Sequence, residues 1–260
     1  MFLGNKMLIL LLSSSGIFHS LLSQPLDEKD ANFLGAVKAQ ACQLIQLDQN
    51  PEAHFSQVLE TYLANMPSAW KGHRPFAEWL VDYMQPDQIV DLGVDYGYST
   101  LVFANAAQKN GKGIVSGIDS FQGEGMTGIR NTYAYVLEIV KNLNLYNTEI
   151  IKGNFNEVNR NWERSIDILH IDGYHSYEAV SNDFNTWAPF VLDDGIVLFH
   201  DINVPNPAFG VIDFFRELSG GYKLYFLHTY GLGIFTKNAL LYEAIKNQFA
   251  DVYDDAETPL

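Results

Sequence analysis

Residues 89–100 read Ile-Val-Asp-Leu-Gly-Val-Asp-Tyr-Gly-Tyr-Ser-Thr, and no other stretch limits the fold as strongly. An apolar strand runs into Asp91, meets Gly93 and Gly97 four residues apart, and passes through Ser99 into a helical pattern. Strand, tight glycine turn and helix start together present backbone N–H groups to a ligand at the edge of an α/β sheet. The residues between the glycines narrow the ligand. Asp95 stands where a dinucleotide fingerprint places its second glycine, and a carboxylate there repels a pyrophosphate. No Gly-Lys-Ser/Thr follows, so the loop also departs from that of nucleoside triphosphate sites. S-adenosylmethionine, which has an adenosyl group and a sulfonium cation but no phosphate, suits an acidic glycine loop.

The rest of the chain divides by pattern. Residues 1–50 read as a leader and residues 51–87 as a helical cap, with apolar positions at Val58, Leu59, Tyr62, Leu63, Phe76, Leu80 and Met84 covering a sheet edge or the active site. From Gln88 strands alternate with helices, the mark of parallel βαβ units. Strands are expected at 89–92, 113–118, 149–152, 166–171 and 196–199, and a helix near 209–218. Residues 223–228 and 232–236 are too close for a crossover helix and should pair antiparallel. Residues 238–260 hold one short helix and an acidic tail expected to be solvated.

The glycine motif, with IDSFQGE from Ile118, LHIDGYHSYEAVSNDF from Leu169, GIVLFHD from Gly195 and GLGIF from Gly231, resembles class I S-adenosylmethionine-dependent methyltransferases. Within them it is similar to a bacterial branch that tailors small molecules and sugars. The resemblance implies an α/β, Rossmann-like, doubly wound seven-stranded sheet over residues 88–237, mostly parallel with an antiparallel closing strand. It also implies cofactor contacts from Asp91, Gly93, Gly97 and Ser99.

Ligands of such sheets bind beyond the carboxyl ends of the parallel strands. Asp119, 22 residues past Gly97, has two oxygens to accept both ribose hydroxyls, a role the family gives an acid here, and the spacing favours that role over the helix N-cap that Asp also serves. Gly153 and Asn154 stand where the family contacts adenine, and Gly-Asn is also an ordinary turn pair. Phe121 either flanks adenine or packs in the core. Strand alternation puts His170 and Asp172 on one face, with Asp172 emerging near the methyl group, where it also reads as a cofactor contact. His200 and Asp201 end the neighbouring strand.

Catechol-type O-methyltransferases hold a divalent metal with an Asp after the fourth strand and an Asp-Asn pair after the fifth. Asp172 and Asp201 match the two acids and suit Mg²⁺, but Ile202 occupies the Asn position, leaving Asn203 or His200 to complete the shell. Without a metal, Asp172 binds the methionine amino group or water and Asp201 caps a turn. His175, three residues after Asp172, falls where those enzymes carry a catalytic lysine, and an imidazole removes a hydroxyl proton near neutral pH. Tyr174 and Tyr177 either line an acceptor pocket or pack the helix that begins there.

A formal charge of −15, from 16 basic and 31 acidic residues, argues against nucleic acid and anionic membrane as partners. One cysteine, Cys42, excludes an intrachain disulfide and fits a cytoplasmic enzyme. Lys6 and the apolar residues 7–12 and 17–22 faintly resemble a signal peptide, but Ser13, Ser14, Ser15 and Gly16 interrupt them, well short of the roughly 20 apolar residues a spanning helix needs. No stable membrane insertion is expected, and a homo-oligomer is compatible with the sequence. The reading is an O-methyltransferase acting on a small polar acceptor such as a sugar hydroxyl or a glycosylated metabolite, with Mg²⁺ assistance. The alternatives are metal-independent N-methylation, or a cofactor-binding protein without turnover.

Overall fold

A computed structural model describes residues 35–36, 51–124 and 128–260 of the chain. The leader expected at 1–50, including its signal-like segment, lies outside the described residues apart from Gly35 and Ala36. In chain order the elements are α1 (Pro51–Asn65), α2 (Arg74–Met84), β1 (Gln88–Leu92), α3 (Tyr98–Lys109), β2 (Ile114–Asp119), β3 (Gly123–Glu124), β4 (Gly128–Ile129), α4 (Tyr133–Asn142), β5 (Thr148–Lys152) and α5 (Phe155–Asn159). After these come β6 (Ile166–Ile171), α6 (Tyr177–Trp187), β7 (Val191–His200), α7 (Val211–Glu217), β8 (Tyr222–Phe226), β9 (Leu232–Thr236), α8 (Ala239–Gln248) and β10 (Tyr253–Asp254).

β1 is buried at every position, Gln88 and Asp91 included, as a strand covered on both faces must be. β2 and then β5 lie on one side of it, β6 and then β7 on the other, all parallel. Strand order therefore reverses at β1 and β6, which opens a crevice above their carboxyl ends. Each face has its own core. Leu59, Tyr62, Leu80, Phe103 and Tyr135 pack one face, and Trp162, Val180, Trp187, Phe214 and Phe215 pack the other.

β9 runs antiparallel between β7 and β8, so 222–226 and 232–236 pair as expected. The sheet has eight strands in the order β10-β8-β9-β7-β6-β1-β2-β5, one more than expected. The added strand comes from the tail read as solvated. Its charges have local partners: Asp254 is 6% exposed, accepts from the Tyr242 hydroxyl and pairs with Lys246 at 2.6 Å, while Asp255 meets Lys223 at 2.8 Å. With those acids neutralised, Tyr253 and Asp254 dock on β8. A separate hairpin of β3 and β4 was not expected, since each arm has two residues.

A buried chain of hydrogen bonds fixes how cap and sheet meet. Trp70, in the turn between α1 and α2, donates its indole N–H to His170 Nε2 at 3.0 Å. An indole nitrogen only donates, so His170 carries its proton on Nδ1, which faces Asp91 Oδ1 at 2.7 Å. Ser99 and Thr100, in the first turn of α3, donate their hydroxyls to Asp91 Oδ2 at 2.8 and 2.5 Å. Trp70→Phe keeps the aromatic packing but orphans His170 Nε2, so it should lower unfolding free energy by about 1–3 kcal/mol in urea titration. An unchanged midpoint and slope would show that the indole bond carries no stability.

Candidate functional site

A cavity of about 460 Å³ opens above the carboxyl ends of β1, β2, β6 and β7, within the usual range for small-molecule sites. Its floor is the glycine loop. Gly93 has φ +103°, and a Cβ there would stand 1.9 Å from the Asp172 carbonyl oxygen. Asp172 donates its own N–H to Leu92 O at 2.8 Å, so the loop after β1 and the end of β6 are pressed together and no side chain fits between them. Gly97, φ +93°, is the N-cap residue of α3.

Asp95 corrects the reading of an acidic loop facing its ligand. Both its oxygens are engaged by Arg130, with Nε to Oδ1 at 2.7 Å and Nη2 to Oδ2 at 2.6 Å, and Arg130 also lies over the Tyr96 ring. This bidentate pair cancels the loop's local charge. Arg130 lies just after β4, in a segment where sequence pattern gave no sign of a partner for Asp95.

Asp119 and Asn154 both line the cavity, and both also serve the backbone. Asp119 accepts the N–H of Asp95 at 2.9 Å and of Phe121 at 2.6 Å, one on each oxygen, so it holds two loops rather than capping a helix. Burial raises its pKa, opposed by those backbone donors. Each oxygen keeps a lone pair for a ligand hydroxyl. Asn154 caps α5 by accepting the Asn156 N–H at 2.9 Å. Phe121 lines the cavity and packs on Tyr133 with ring centroids 5.0 Å apart.

The reactive end lies where β6 and β7 stop. Asp172, His175 and Asp201 each bring a ligand atom within 4.8 Å of the others. His175 Nε2 is 2.8 Å from Asp201 Oδ2 and 3.6 Å from Asp172 Oδ1, with its ring stacked on Phe209. His200 Nδ1 faces Asp172 at 3.3 Å and Asp201 at 3.2 Å, while its Nε2 faces the Thr229 carbonyl at 3.2 Å. Acceptors on both sides require both nitrogens to donate, which makes His200 an imidazolium. Burial opposes that charge, but the two carboxylates raise its pKa. Burial would also raise Asp172, yet facing His200 and His175 hold it well below the usual carboxylate range. Behind His200, burial first and then the charges of His200 and His228 push His73 down to about 3.

The neighbours of His175 set its protonation. Burial works against its charged form, yet contact with Asp172 and Asp201 pushes its pKa up to about 10. In this arrangement the imidazole holds a proton at neutral pH instead of accepting one.

Other expected residues divide clearly. Gly93, Ser99, Asp119, Asn154, Asp172, His175, Asp201 and Tyr174 line the cavity. Asp91 and His170 do not: both are fully buried and act through the chain that starts at Trp70. Tyr177 is turned to α7, where its hydroxyl donates to Glu217 at 2.6 Å. Ile202, at the family's Asn position, is core, and Asn203 donates its Nδ2 to Leu227 O and is exposed; neither lines the cavity. Trp70, Arg130 and Asp183 line the cavity without having been singled out. No helix among the described residues is long and apolar enough to cross a membrane.

Residues 90–202 match the family model described as a methyltransferase domain. A Sinorhizobium fredii protein, Uncharacterized protein y4gI, is 33% identical over 171 residues, covering 64% of this chain and 19% of that protein, so this chain spans about a fifth of the curated relative's length. Among solved structures, a Bacillus cereus O-methyltransferase in complex with S-adenosylhomocysteine aligns with TM-score 0.53 at 13% identity, over 76% of this chain and 97% of the other. The O-methyltransferase TomG of Streptomyces achromogenes, involved in tomaymycin synthesis and solved with S-adenosylmethionine, aligns with TM-score 0.51 at 14% identity, over 85% and 94%. These two show the class I methyltransferase fold.

The raised pKa of His175 has a consequence for stability. Its folded pKa of about 10 lies above the ordinary 6.5, so its contribution is complete below pH 6.5 and is lost as pH rises through 10. In chelator-treated protein, the urea midpoint of wild type should therefore fall toward that of His175→Gln between pH 6.5 and 10. Parallel pH profiles for the two proteins would show that no such charge is held there.

Proposed function

We propose that this protein, whose residues 90–202 match a methyltransferase-domain model, transfers the methyl group of S-adenosylmethionine to a hydroxyl of a small polar acceptor, of which a sugar hydroxyl or a glycosylated metabolite is the favoured kind. The observation that carries the reading is that Asp172, His175 and Asp201 open into the same cavity as the glycine loop and Asp119. One ligand spanning that cavity puts its ribose at Asp119 and its sulfonium beside the cluster.

The acceptor oxygen attacks the methyl carbon in line, the carbon–sulfur bond breaks, and the acceptor's proton leaves for a base. His175 is the proposed base, positioned by both carboxylates, and it acts when neutral. Trp70 and the preceding residues of the cap form one wall of the cavity, and orientation supplies most of what this transfer needs, because the donor is already activated.

The cluster also fits a divalent ion. Two carboxylates and an imidazole suit Mg²⁺ or Mn²⁺, and their negative charge is now balanced by protons on His175 and His200 that a cation would replace. Asp172 and Asp201 would hold the ion, with His175 the nearest third donor in place of the family's Asn. Bound there, it would supply Lewis-acid activation of the acceptor hydroxyl. The same pairing of carboxylates with imidazoles favours a second reading, a metal-independent transfer.

Asp119→Ala removes charge-assisted hydrogen bonds to the ribose, so calorimetry should show S-adenosylhomocysteine bound about tenfold to a hundredfold more weakly. Unchanged affinity in a folded variant would end the ribose assignment. His175→Ala should cut turnover by about 10²- to 10⁴-fold while cofactor affinity stays nearly intact. Chelation should stop turnover and Mg²⁺ restore it. Full activity in excess chelator selects the metal-independent reading, and loss of Mg²⁺ affinity in His175→Ala makes His175 a ligand instead of the base.

A further inference from the structure

Three consecutive residues between β8 and β9, Thr229, Tyr230 and Gly231, hold left-handed backbone, with φ 53°, 64° and 85°. Glycine adopts that region freely, but a β-branched threonine is a clear outlier there and stays only where its surroundings hold it. The carbonyls of this turn secure the chain that leaves β7. Tyr230 O accepts the Asn203 N–H at 2.7 Å, and Gly231 O accepts that of Asp201 at 3.1 Å. Asp201, whose carboxylate lies 2.8 Å from His175, is itself left-handed at φ 62°. Its direction therefore depends on a turn that Thr229 by itself disfavours.

Two imidazoles keep that turn in place, since the Thr229 carbonyl faces Nε2 of His200 at 3.2 Å and Nε2 of His73 at 3.3 Å. A carbonyl oxygen only accepts, so both nitrogens donate. His200 belongs to the reactive cluster. His73 comes from the cap, in the short 3₁₀ turn Lys71–His73 ahead of α2, and it is fully buried without lining the cavity. Its Nδ1 is buried and has no hydrogen-bond partner among the described residues. Such an atom is costly, so what places this imidazole here is the bond its other nitrogen makes. Gly72 beside it leaves room for Thr229, because a Cβ there would stand 2.2 Å from Thr229 Oγ1. That hydroxyl faces His228 Nδ1 at 2.6 Å, and the His228 ring stacks on His73 with centroids 4.7 Å apart. Cap and turn thus interlock at the residue whose backbone is strained.

Resting on the transfer reading above, we propose that His73 is a positioning residue: its Nε2–H holds the Thr229 carbonyl, which keeps the left-handed turn against the end of β7 and aims Asp201 at His175. It acts from outside the cavity, through the backbone from Thr229 to Gly231 and on to Asp201. A transfer that depends on orientation loses rate when a group of its cluster moves by about 1 Å, while donor binding is unaffected.

The test compares wild type with His73→Phe, which keeps a ring beside His228 but donates nothing, and His73→Gln, which carries an amide nitrogen at the place of Nε2. Amide hydrogen exchange, read by NMR on the protein alone, should be about tenfold faster at Asp201 and Asn203 in His73→Phe, and His73→Gln should restore most of the protection. On a sugar or phenol that wild type methylates, chosen from a panel of both, kcat should fall about tenfold to a hundredfold in His73→Phe and recover in His73→Gln. The KM for S-adenosylmethionine and the calorimetric affinity for S-adenosylhomocysteine should not change. Unaltered exchange at both amides overturns the proposal, as does faster exchange with a wild-type kcat. Equal losses in the Phe and Gln variants overturn it too, and reduce His73 to packing. Should His73→Phe not fold, His73→Asn, whose amide stops at the place of Nδ1, removes the same donor and is read in the same way. Wild type that binds S-adenosylhomocysteine but methylates no member of the panel overturns the transfer reading and this inference together.

Discussion

The bond between His170 and Asp91 is the interaction on which the rest of the site depends. Both groups are fully buried, where an unpartnered polar group costs on the order of 1–3 kcal/mol. Each is satisfied by a different part of the chain: Trp70 from the cap, His170 from β6, Asp91 from β1, and Ser99 and Thr100 from α3. A shift of any of the four breaks a bond that water cannot replace. The network therefore sets the height of α3 and the seating of Trp70 over the cavity, and places Gly93 against Asp172. Asp91 and His170, which do not line the cavity, in this way determine where the cavity-lining residues stand.

Most of the scaffold was legible in the sequence because periodicity reports burial, and burial decides strands. The apolar residues Ile89, Val90 and Leu92 before Gly93, the alternation in 166–171 and the short link between 222–226 and 232–236 each led to the right element and direction. The strand-end rule then brought Asp119, Asp172, His175 and Asp201 to one cavity. Long-range pairing was not legible. Nothing near Asp95 announces Arg130, and Trp70 lies 100 residues from His170. The charge state of His175 was only half legible, since burial, Asp172 three residues away and Asp201, distant in sequence but 2.8 Å away in space, set its pKa together.

Neutralisation of Asp95 by Arg130 changes where the attraction for a sulfonium originates. With the loop carboxylate occupied, the remaining acids on the cavity wall are Asp119, Asp172, Asp183 and Asp201. Asp172 and Asp201 are already balanced by the imidazoles of His175 and His200. A cationic donor entering that field competes with protons for the same negative charge, so donor binding and imidazole deprotonation favour one another in the low-dielectric cavity.

That coupling bears on the transfer itself. On the proposed reading, the positive charge on sulfur disappears as the methyl group leaves, and a proton from the acceptor appears on His175 between Asp172 and Asp201. One unit of positive charge moves a short distance inside the cavity, and none is created or lost. An enclosed site is unfavourable for separating charge but tolerates relocating it among groups already oriented to receive it. The same carboxylates that keep His175 protonated in the free protein would, with a sulfonium present, stabilise the imidazolium only as the reaction completes. A raised pKa at rest and a role as proton acceptor are then two states of one electrostatic cluster.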